Sequence, residues 1–132
     1  MSAGIVHCVT LYNGPQLESP LTVFLRYQPN DPYFVRMDIP GVPTPLDIAR
    51  SVLAEGLNQL AESRDIQIEP SGDLDWLTIK LRSSEGQVMT LLIPRRSLGE
   101  FLADTYQAVL VGEEDKQIDW DGEYDLLTHK AD

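Results

Sequence analysis

Cysteines, long apolar runs and cations are all scarce in this 132-residue sequence. The single cysteine, Cys8, excludes an internal disulfide and fits a reducing cytoplasm. No run approaches the roughly 18 apolar residues that span a bilayer, and no basic stretch followed by an apolar one predicts a signal peptide. Ten Lys and Arg stand against 21 Asp and Glu. The resulting net charge of −11 disfavours attraction of the whole molecule to nucleic acid or to an anionic membrane.

The remaining composition is that of a soluble globular protein. Hydrophobic residues make up 42% and charged residues 23%, and the length suits one domain with a single core. We predict one α+β domain over residues 1–112. Residues 113–132 form an acidic tail with eight carboxylates against two lysines. Asp121 could cap a short final helix there, carrying Tyr124 and Leu127 and packed on the same domain.

Alternation of apolar residues with period two predicts strands in the first third of the chain. Ile5 to Tyr12 is apolar on both faces, so we expect this strand to be covered on both sides. Two further strands each point four apolar residues one way. They are Leu21, Val23, Leu25 and Tyr27 in one strand, and Tyr33, Val35, Met37 and Ile39 in the next.

A helix is predicted from Thr44, which suits the N-cap, with Pro45 at the first helical position and Asp47 completing a capping box. Its apolar stripe is Leu46, Ala49, Leu53, Leu57 and Leu60. Gly56 interrupts that stripe at a cost of about 1 kcal/mol relative to alanine. We therefore expect another element to pack closely against the helix at Gly56.

Three strands and a second helix follow. The strands are Asp65 to Glu69, Leu74 to Arg82 and Gln87 to Ile93. A three-residue loop with a left-handed Gly86 sets Leu81 against Met89, Ile79 against Leu91 and Leu77 against Ile93. Ser97 and Glu100 form the capping box of the second helix, and Gly112 ends it. Its apolar stripe is Leu98, Phe101, Leu102, Thr105 and Val109. The predicted order is β-β-β-α-β-β-β-α with antiparallel sheet and a short C-terminal helix.

Catalytic and metal-binding signals are few. His7 and Cys8 are adjacent in a strand, so their side chains point to opposite faces and cannot form a nucleophile pair. His129 lies near the C-terminus, where we expect it to be solvated. The sequence has no phosphate-binding glycine loop and no zinc-ligand spacing. We therefore predict no enzyme, no cofactor and no metal.

The acidic residues of the tail do not have the spacing of an EF-hand calcium loop. They are better explained as a solvated tail, or as an acidic segment that meets a basic partner. These residues are Glu113, Glu114, Asp115, Asp119, Asp121, Glu123 and Asp125.

The stretch RYQPNDPYFVRMD, residues 26–38, predicts a hairpin with a candidate partner-binding face. If the loop runs from Gln28 to Pro32, Tyr27 pairs with Tyr33. Arg26 then lies across from Phe34, and Phe24 across from Arg36, on the outward face. Phe and Arg are enriched at protein interfaces and can also stack on unpaired bases. A third interpretation is that the arginine stems only cover two semi-buried phenylalanines.

Four segments together resemble the SsgA-like proteins, the sporulation and cell-division regulators of filamentous actinobacteria. They are LRYQPNDPYFVRM (25–37), ARSVLAEGL (49–57), SSEGQV (83–88) and FLADT (101–105), and the resemblance extends over roughly Val9 to Leu127. The sequence departs from the family pattern at Leu46-Asp47-Ile48 and in its proline-rich loop, Ile39 to Pro45, which leaves the subgroup open.

The resemblance implies a Whirly-like fold, assembly as a homotrimer and a non-enzymatic role in sporulation septation. It also implies contact with the division protein FtsZ, and a cytoplasmic protein recruited to the septum. No family residue is carried over as catalytic. The alternative function is a single-stranded nucleic-acid-binding module, suggested by the Whirly-like shape and the Arg/Phe face.

Overall fold

A computed structural model describes residues 4–13, 19–40, 42, 44–73, 75–82 and 86–117. Their helices and strands, in chain order, are β1 (Ile5–Asn13), β2 (Ser19–Tyr27), β3 (Phe34–Asp38), β4 (Leu46–Ala49), α1 (Arg50–Gly56), β5 (Ala61–Ser63), β6 (Ile66–Pro70), β7 (Trp76–Arg82), β8 (Val88–Pro94) and α2 (Arg95–Ala108), followed by a 3₁₀ turn at Glu114–Gln117. The antiparallel α+β class is confirmed. The predicted strand count is wrong, because four strands rather than three precede each helix.

The eight strands form one antiparallel sheet in the order β4-β3-β2-β1-β8-β7-β6-β5. Its two halves meet at a short ladder between β1 and β8, where Tyr12 pairs with Leu92 and Asn13 with Leu91. Each half therefore consists of four consecutive strands, and each is followed in the chain by its own helix. One continuous hydrophobic core includes buried residues from both halves and both helices.

The inward face of β1 is buried and its outward face is not. Val9 and Leu11 lie in the core, whereas Val6 is 50% exposed and Cys8 is exposed. The prediction that both faces of this strand are covered is therefore wrong within a single chain.

The register of β2 with β3 differs from the prediction by two residues. Leu25 pairs with Met37, and Arg26 lies directly opposite Arg36. The connection is longer than predicted: Asp31 N donates to Gln28 O (2.8 Å) and Phe34 N to Asp31 O (3.4 Å), so β3 begins only after Tyr33. A shift by two keeps every side chain on its original face, so the predicted core positions remain buried.

The predicted start of the first helix is wrong. Leu46–Ala49 is the strand β4, paired with β3, and α1 begins at Arg50 with no side-chain cap. Strand pairing satisfies a backbone edge of β3 and buries Ile48, which outweighs the local capping signal around Thr44 and Pro45. The helix also ends before Leu60, which is 45% exposed, and the short strand β5 follows.

Gly56 lies where α1 meets the sheet, as its position in the apolar stripe predicted. A β-carbon built on Gly56 would lie 2.4 Å from Cγ2 of Ile68 in β6. That separation is far below van der Waals contact, so only a residue without a β-carbon fits here.

The second half follows its predicted register. Leu81 pairs with Met89, Ile79 with Leu91 and Leu77 with Ile93. Gly86 has a φ of 85°, in the left-handed region that the loop prediction required.

The second helix begins earlier than predicted, at Arg95 rather than after a Ser97 cap, and it ends at Ala108 rather than at Gly112. Its predicted stripe is confirmed, since Leu98, Phe101, Leu102, Thr105 and Val109 are all buried. The predicted tail helix at Asp121 and His129 lie outside the described residues.

Candidate functional site

The four predicted partner-binding residues share the exposed surface of β1–β4, which we call the outward face. Phe24 is 39% and Phe34 45% exposed. Arg26 and Arg36 lie on the same side of the sheet and are also largely exposed. Val6 and Cys8 extend this face onto β1, with Cys8 opposite Phe24. The structure thus places the four residues on one surface.

The predicted crossed pairs on this face are wrong. Arg26 faces Arg36 rather than Phe34, Phe24 faces Asp38, and Phe34 faces Ala49. The cause is the longer connection before β3, which moves each β3 residue two positions along β2. One aromatic contact remains within β2, where the Arg26 guanidinium lies 5.3 Å from the centre of the Phe24 ring.

Each of the two facing arginines pairs with a carboxylate of its own. Like charges directly opposite in a sheet repel each other, so each guanidinium turns toward its own partner. Arg26 Nε lies 2.6 Å from Asp38 Oδ2, and Arg36 Nε lies 3.1 Å from Asp47 Oδ1. The four charges sum to zero. Sequence reasoning missed both aspartates, although Asp38 follows Arg36 by two residues on the same face.

The outward face is shallow. A depression of about 210 Å³ lies beside the β2–β3 connection, and its lining residues are Arg26, Gln28, Asn30, Asp31, Phe34, Arg36 and Asp47. A depression of this volume is smaller than most small-molecule pockets, so this part of the outward face suits contact with another macromolecule better.

His7 and Cys8 lie on opposite faces, as predicted. His7 Nε2 is 2.8 Å from Asp104 Oδ2 on α2, and its ring packs edge-on against Phe101 at 5.1 Å. Cys8 is exposed on the outward face. Across the described ranges, no group of three or more His, Cys, Asp or Glu is placed to hold a metal ion.

A buried arginine that the sequence reasoning did not single out lies beside the β2–β3 connection, next to Tyr27 and Tyr33. Arg50 is 1% exposed and begins α1. Its Nη1 donates to the carbonyls of Thr105 (3.0 Å) and Val109 (2.8 Å) at the C-terminus of α2, where the partial negative charge of the helix favours a cation.

Two rings and a carboxylate complete the surroundings of Arg50. The guanidinium lies 5.1 Å from the centre of the Tyr27 ring and 4.0 Å from that of Tyr106. Its Nη2 donates to Glu114 Oε2 at 3.0 Å. We call these residues, with Arg50, the Arg50 cluster. Hydrogen bonds from its own backbone N–H, from Arg50 and from Gly112 N lower the pKa of Glu114, so this carboxylate is ionised at neutral pH.

The Arg50 cluster anchors the segment that follows α2. Glu114 Oε1 accepts a hydrogen bond from Gly112 N at 2.7 Å, and the Tyr33 hydroxyl donates to Asp115 Oδ1. The sequence did carry one signal for the burial of Arg50, which is its helical spacing with Leu53 and Leu57. A cation on the apolar face of a helix is buried, and a buried cation needs hydrogen-bond or charged partners.

Alkaline pH is expected to destabilise the fold through Tyr27. Burial raises the pKa of this phenol from 10.0 to about 12. The buried, neutral phenol therefore contributes its full stabilisation below pH 10. This contribution is lost as the pH rises through the folded pKa of about 12. A difference of about two pKa units corresponds to about 3 kcal/mol.

Urea unfolding followed across that alkaline range measures this effect. Tyr27→Phe should show a shallower loss of stability with pH, and Tyr12→Phe, outside the Arg50 cluster, should follow the parent. An unchanged slope in Tyr27→Phe would show that other groups control the alkaline transition. Tyr106 and Tyr33, whose pKa values are also raised, would be the next to replace.

Residues 21–114 match the family model described as Streptomyces sporulation and cell division protein, SsgA. This chain belongs to the SsgA family. It is 35% identical over 109 residues to SsgB of Streptomyces coelicolor, covering 79% of each chain. It is 32% identical over 116 residues to SsgB of Frankia casuarinae, covering 82% of this chain and 78% of that one. Both relatives are described as sporulation-specific cell division proteins.

Two solved structures of the SsgA family share the fold. One is SsgB, from work on longitudinal cell division during sporulation of Streptomyces coelicolor. It has a TM-score of 0.78 and 30% identity, and covers 88% of this chain and 96% of its own. The other is an SsgA-like sporulation-specific cell division protein from Thermobifida fusca, with a TM-score of 0.76 and 30% identity, covering 94% and 97%.

Two of the segments that resemble the SsgA family meet at the Arg50 cluster. LRYQPNDPYFVRM supplies Tyr27, whose hydroxyl donates to Pro32 O at 3.0 Å, and Tyr33, whose carbonyl accepts from Arg50 N at 2.8 Å. ARSVLAEGL supplies Arg50 itself. These motifs therefore fix the β2–β3 connection against α1 and α2.

Neither α1 nor α2 combines the length and apolar character that a membrane-spanning helix requires.

Proposed function

We propose that this member of the SsgA family is a non-enzymatic adaptor of sporulation-specific cell division, and that it contacts its division partner through the outward face. The observation that carries the proposal is the composition of that face. It exposes Val6, Phe24 and Phe34 beside two arginines that are already paired with aspartates.

Paired charges make this face suited to burial against another protein. An unpaired guanidinium costs several kcal/mol to remove from water, whereas one that keeps its carboxylate partner costs far less. Aromatic residues and arginine are the residue types enriched in interface cores. Phe24 and Phe34 would then supply the apolar contact. Arg26 and Arg36 would set the orientation of the partner on the outward face.

The partner we propose is FtsZ, which this protein would help to position at septation sites from the cytoplasm. Two observations support this assignment: the family's role in sporulation division, and an outward face composed of residue types that are common in protein interfaces. We further propose that the protein works as a homotrimer with a Whirly-like fold, as its resemblance to the SsgA-like proteins implies.

Loss of the two phenylalanines is expected to weaken binding to FtsZ strongly. Truncation of interface hot spots typically costs 2 kcal/mol or more, so Phe24→Ala with Phe34→Ala should weaken the complex by about 30-fold or more. Binding of purified FtsZ by interferometry measures this. Val88→Ala with Leu110→Ala removes comparable exposed apolar groups elsewhere and should leave affinity unchanged.

Light scattering on the same variants separates partner binding from self-assembly. The parent should have three times the mass of one chain. The double variant Phe24→Ala with Phe34→Ala should keep that mass while its binding to FtsZ weakens. If the double variant becomes monomeric, the outward face is instead the contact between copies. FtsZ binding that survives the double variant would exclude this face as the FtsZ site.

Single-stranded nucleic acid remains the alternative ligand, and the charge arrangement disfavours it. Phosphate binding gains its strength from cations that neutralise the backbone, but Asp38 and Asp47 already neutralise Arg26 and Arg36. Salt-sensitive binding that disappears in Arg26→Ala with Arg36→Ala would favour the alternative. We expect no binding even at low salt.

A further inference from the structure

Strand β4 lies at one edge of the sheet and, among the described strands, has β3 as its single neighbour. Arg50 N donates to Tyr33 O at 2.8 Å, so these two residues form a hydrogen-bonded pair at the end of the β3–β4 ladder. Hydrogen-bonded and non-hydrogen-bonded pairs alternate along an antiparallel ladder, which places Asp47 and Ala49 at non-hydrogen-bonded positions. The N–H groups of both residues and the C=O of Asp47 therefore point away from β3, toward the open edge.

A groove of about 630 Å³ lies along this edge. Asp47 and Ala49 line one side of it, and the β5–β6 turn and the end of β7 line the other. Leu46, Ile66 and Leu81 add apolar surface to the walls. The groove thus combines backbone hydrogen-bonding groups with apolar side chains, which is the combination that binds an added β-strand.

The charges along the groove balance. Asp47 and Asp65 line it together with Arg64 and Arg82, so the four charges sum to zero. The chain as a whole has a net charge of −11, which repels an acidic segment. The groove itself has no excess of carboxylates that would attract a basic segment. An extended segment without net charge is therefore the occupant that the groove suits best.

The groove is continuous with the outward face. Phe34 is exposed on that face and also lines the groove. Asp47 likewise borders both the groove and the shallow depression beside the β2–β3 connection. A partner that covers the outward face therefore lies next to the open edge of β4.

We propose that the partner bound by the outward face also adds an extended, uncharged segment to the open edge of β4, inside this groove. The segment would exchange hydrogen bonds with the N–H and C=O of Asp47 and accept one from the N–H of Ala49. Its alternate side chains, which point to the groove walls, would be apolar. This inference rests on the proposed function, because the partner is the one that binds the outward face.

Proline at position 49 tests the proposal, because it removes one of these donors from a backbone that already suits proline. Ala49 has a φ of −57°, within the range to which proline is confined, and its N–H points away from β3. Ile48 before it is in a strand, as a residue before proline should be. Ala49→Pro should weaken FtsZ binding by about 10-fold, since one hydrogen bond is lost and the ring obstructs the edge. Ala49→Ser keeps the N–H and should bind like the parent.

Hydrogen exchange gives a second measurement, which needs no substitution. Exchange within residues 46–49 of the parent should slow by about 10-fold or more when FtsZ binds. Leu46 and Ile48 lie at hydrogen-bonded positions of the β3–β4 ladder, so the new protection should come from Asp47 and Ala49. Circular dichroism confirms that both variants at position 49 are folded.

The outcomes separate this inference from the proposed function. Parent-like affinity in Ala49→Pro, or unchanged exchange in β4, would overturn strand addition. The outward face would still stand as the FtsZ site if Phe24→Ala with Phe34→Ala weakens binding. A parent that binds no FtsZ would overturn both proposals. A lower mass of Ala49→Pro in light scattering would assign the groove to a second copy of this chain, and so overturn docking of the partner there.

Discussion

Replacing Arg50 with methionine is expected to lower the free energy of unfolding by about 3–5 kcal/mol, the usual cost of removing one member of a buried ion pair. The guanidinium satisfies two carbonyls at the end of α2 as well as Glu114, and it is sandwiched by aromatic rings. Methionine fills much of the same volume but donates no hydrogen bond. The carbonyls of Thr105 and Val109 would then lose their donor, and Glu114 would lose its cation and keep its hydrogen bond from Gly112 N.

Urea unfolding of Arg50→Met against Arg96→Met measures this cost. Arg96 belongs to an exposed i,i+4 pair, and such pairs contribute only about 0.3–0.5 kcal/mol. Adding Glu114→Gln to Arg50→Met should recover part of the loss, because the side chain left without its cation is then neutral. A loss below about 1 kcal/mol in Arg50→Met would mean that water replaces the guanidinium without penalty.

Adding a methyl group at Gly56 is expected to destabilise the protein by about 1–3 kcal/mol, although alanine is intrinsically the better helix former. The new β-carbon would lie 2.4 Å from Ile68 Cγ2 and 2.9 Å from its Cγ1. Ile68 is fully buried in β6, so neither α1 nor the strand can move aside without disturbing the core.

Gly99 supplies the matched control for Gly56→Ala. It lies within α2, and a β-carbon there meets nothing within 4 Å. Gly99→Ala should therefore stabilise the fold by about 0.5–1 kcal/mol. In an Ile68→Ala background the penalty of Gly56→Ala should vanish, which a double-mutant cycle detects. Equal effects at the two glycines would contradict the close packing of α1 on β6.

Period-two alternation predicted the core well, because it depends only on which face a residue occupies. Val23, Leu25 and Met37 are buried even though the β2–β3 register differs by two residues. The β7–β8 register could be predicted because burial on both strands and the left-handed Gly86 allow a single solution. The longer β2–β3 connection has no comparable local signal.

Local capping signals failed where tertiary contacts competed with them. Thr44 and Pro45 are suitable residues for a helix start, but Leu46–Ala49 instead forms a strand that pairs with the open edge of β3. The partners of Arg50 were beyond sequence reasoning for another reason. The hydrogen-bond partners of Arg50 lie 55, 59 and 64 residues away, and no spacing rule reaches that far.

The narrow junction between β1 and β8 divides the molecule along its middle. Among the residues that the structure describes, two pairs join the halves of the sheet, whereas nine join β1 to β2. Arg50 belongs to α1, which follows the first half, and it donates hydrogen bonds to the carbonyls at the end of α2, which follows the second half. Arg50 therefore links the two halves through side-chain contacts, in addition to the shared core and the packing of α1 on β6. Hydrogen exchange in Arg50→Met should show faster opening at the C-terminal end of α2, where the carbonyls of Thr105 and Val109 lose their donor.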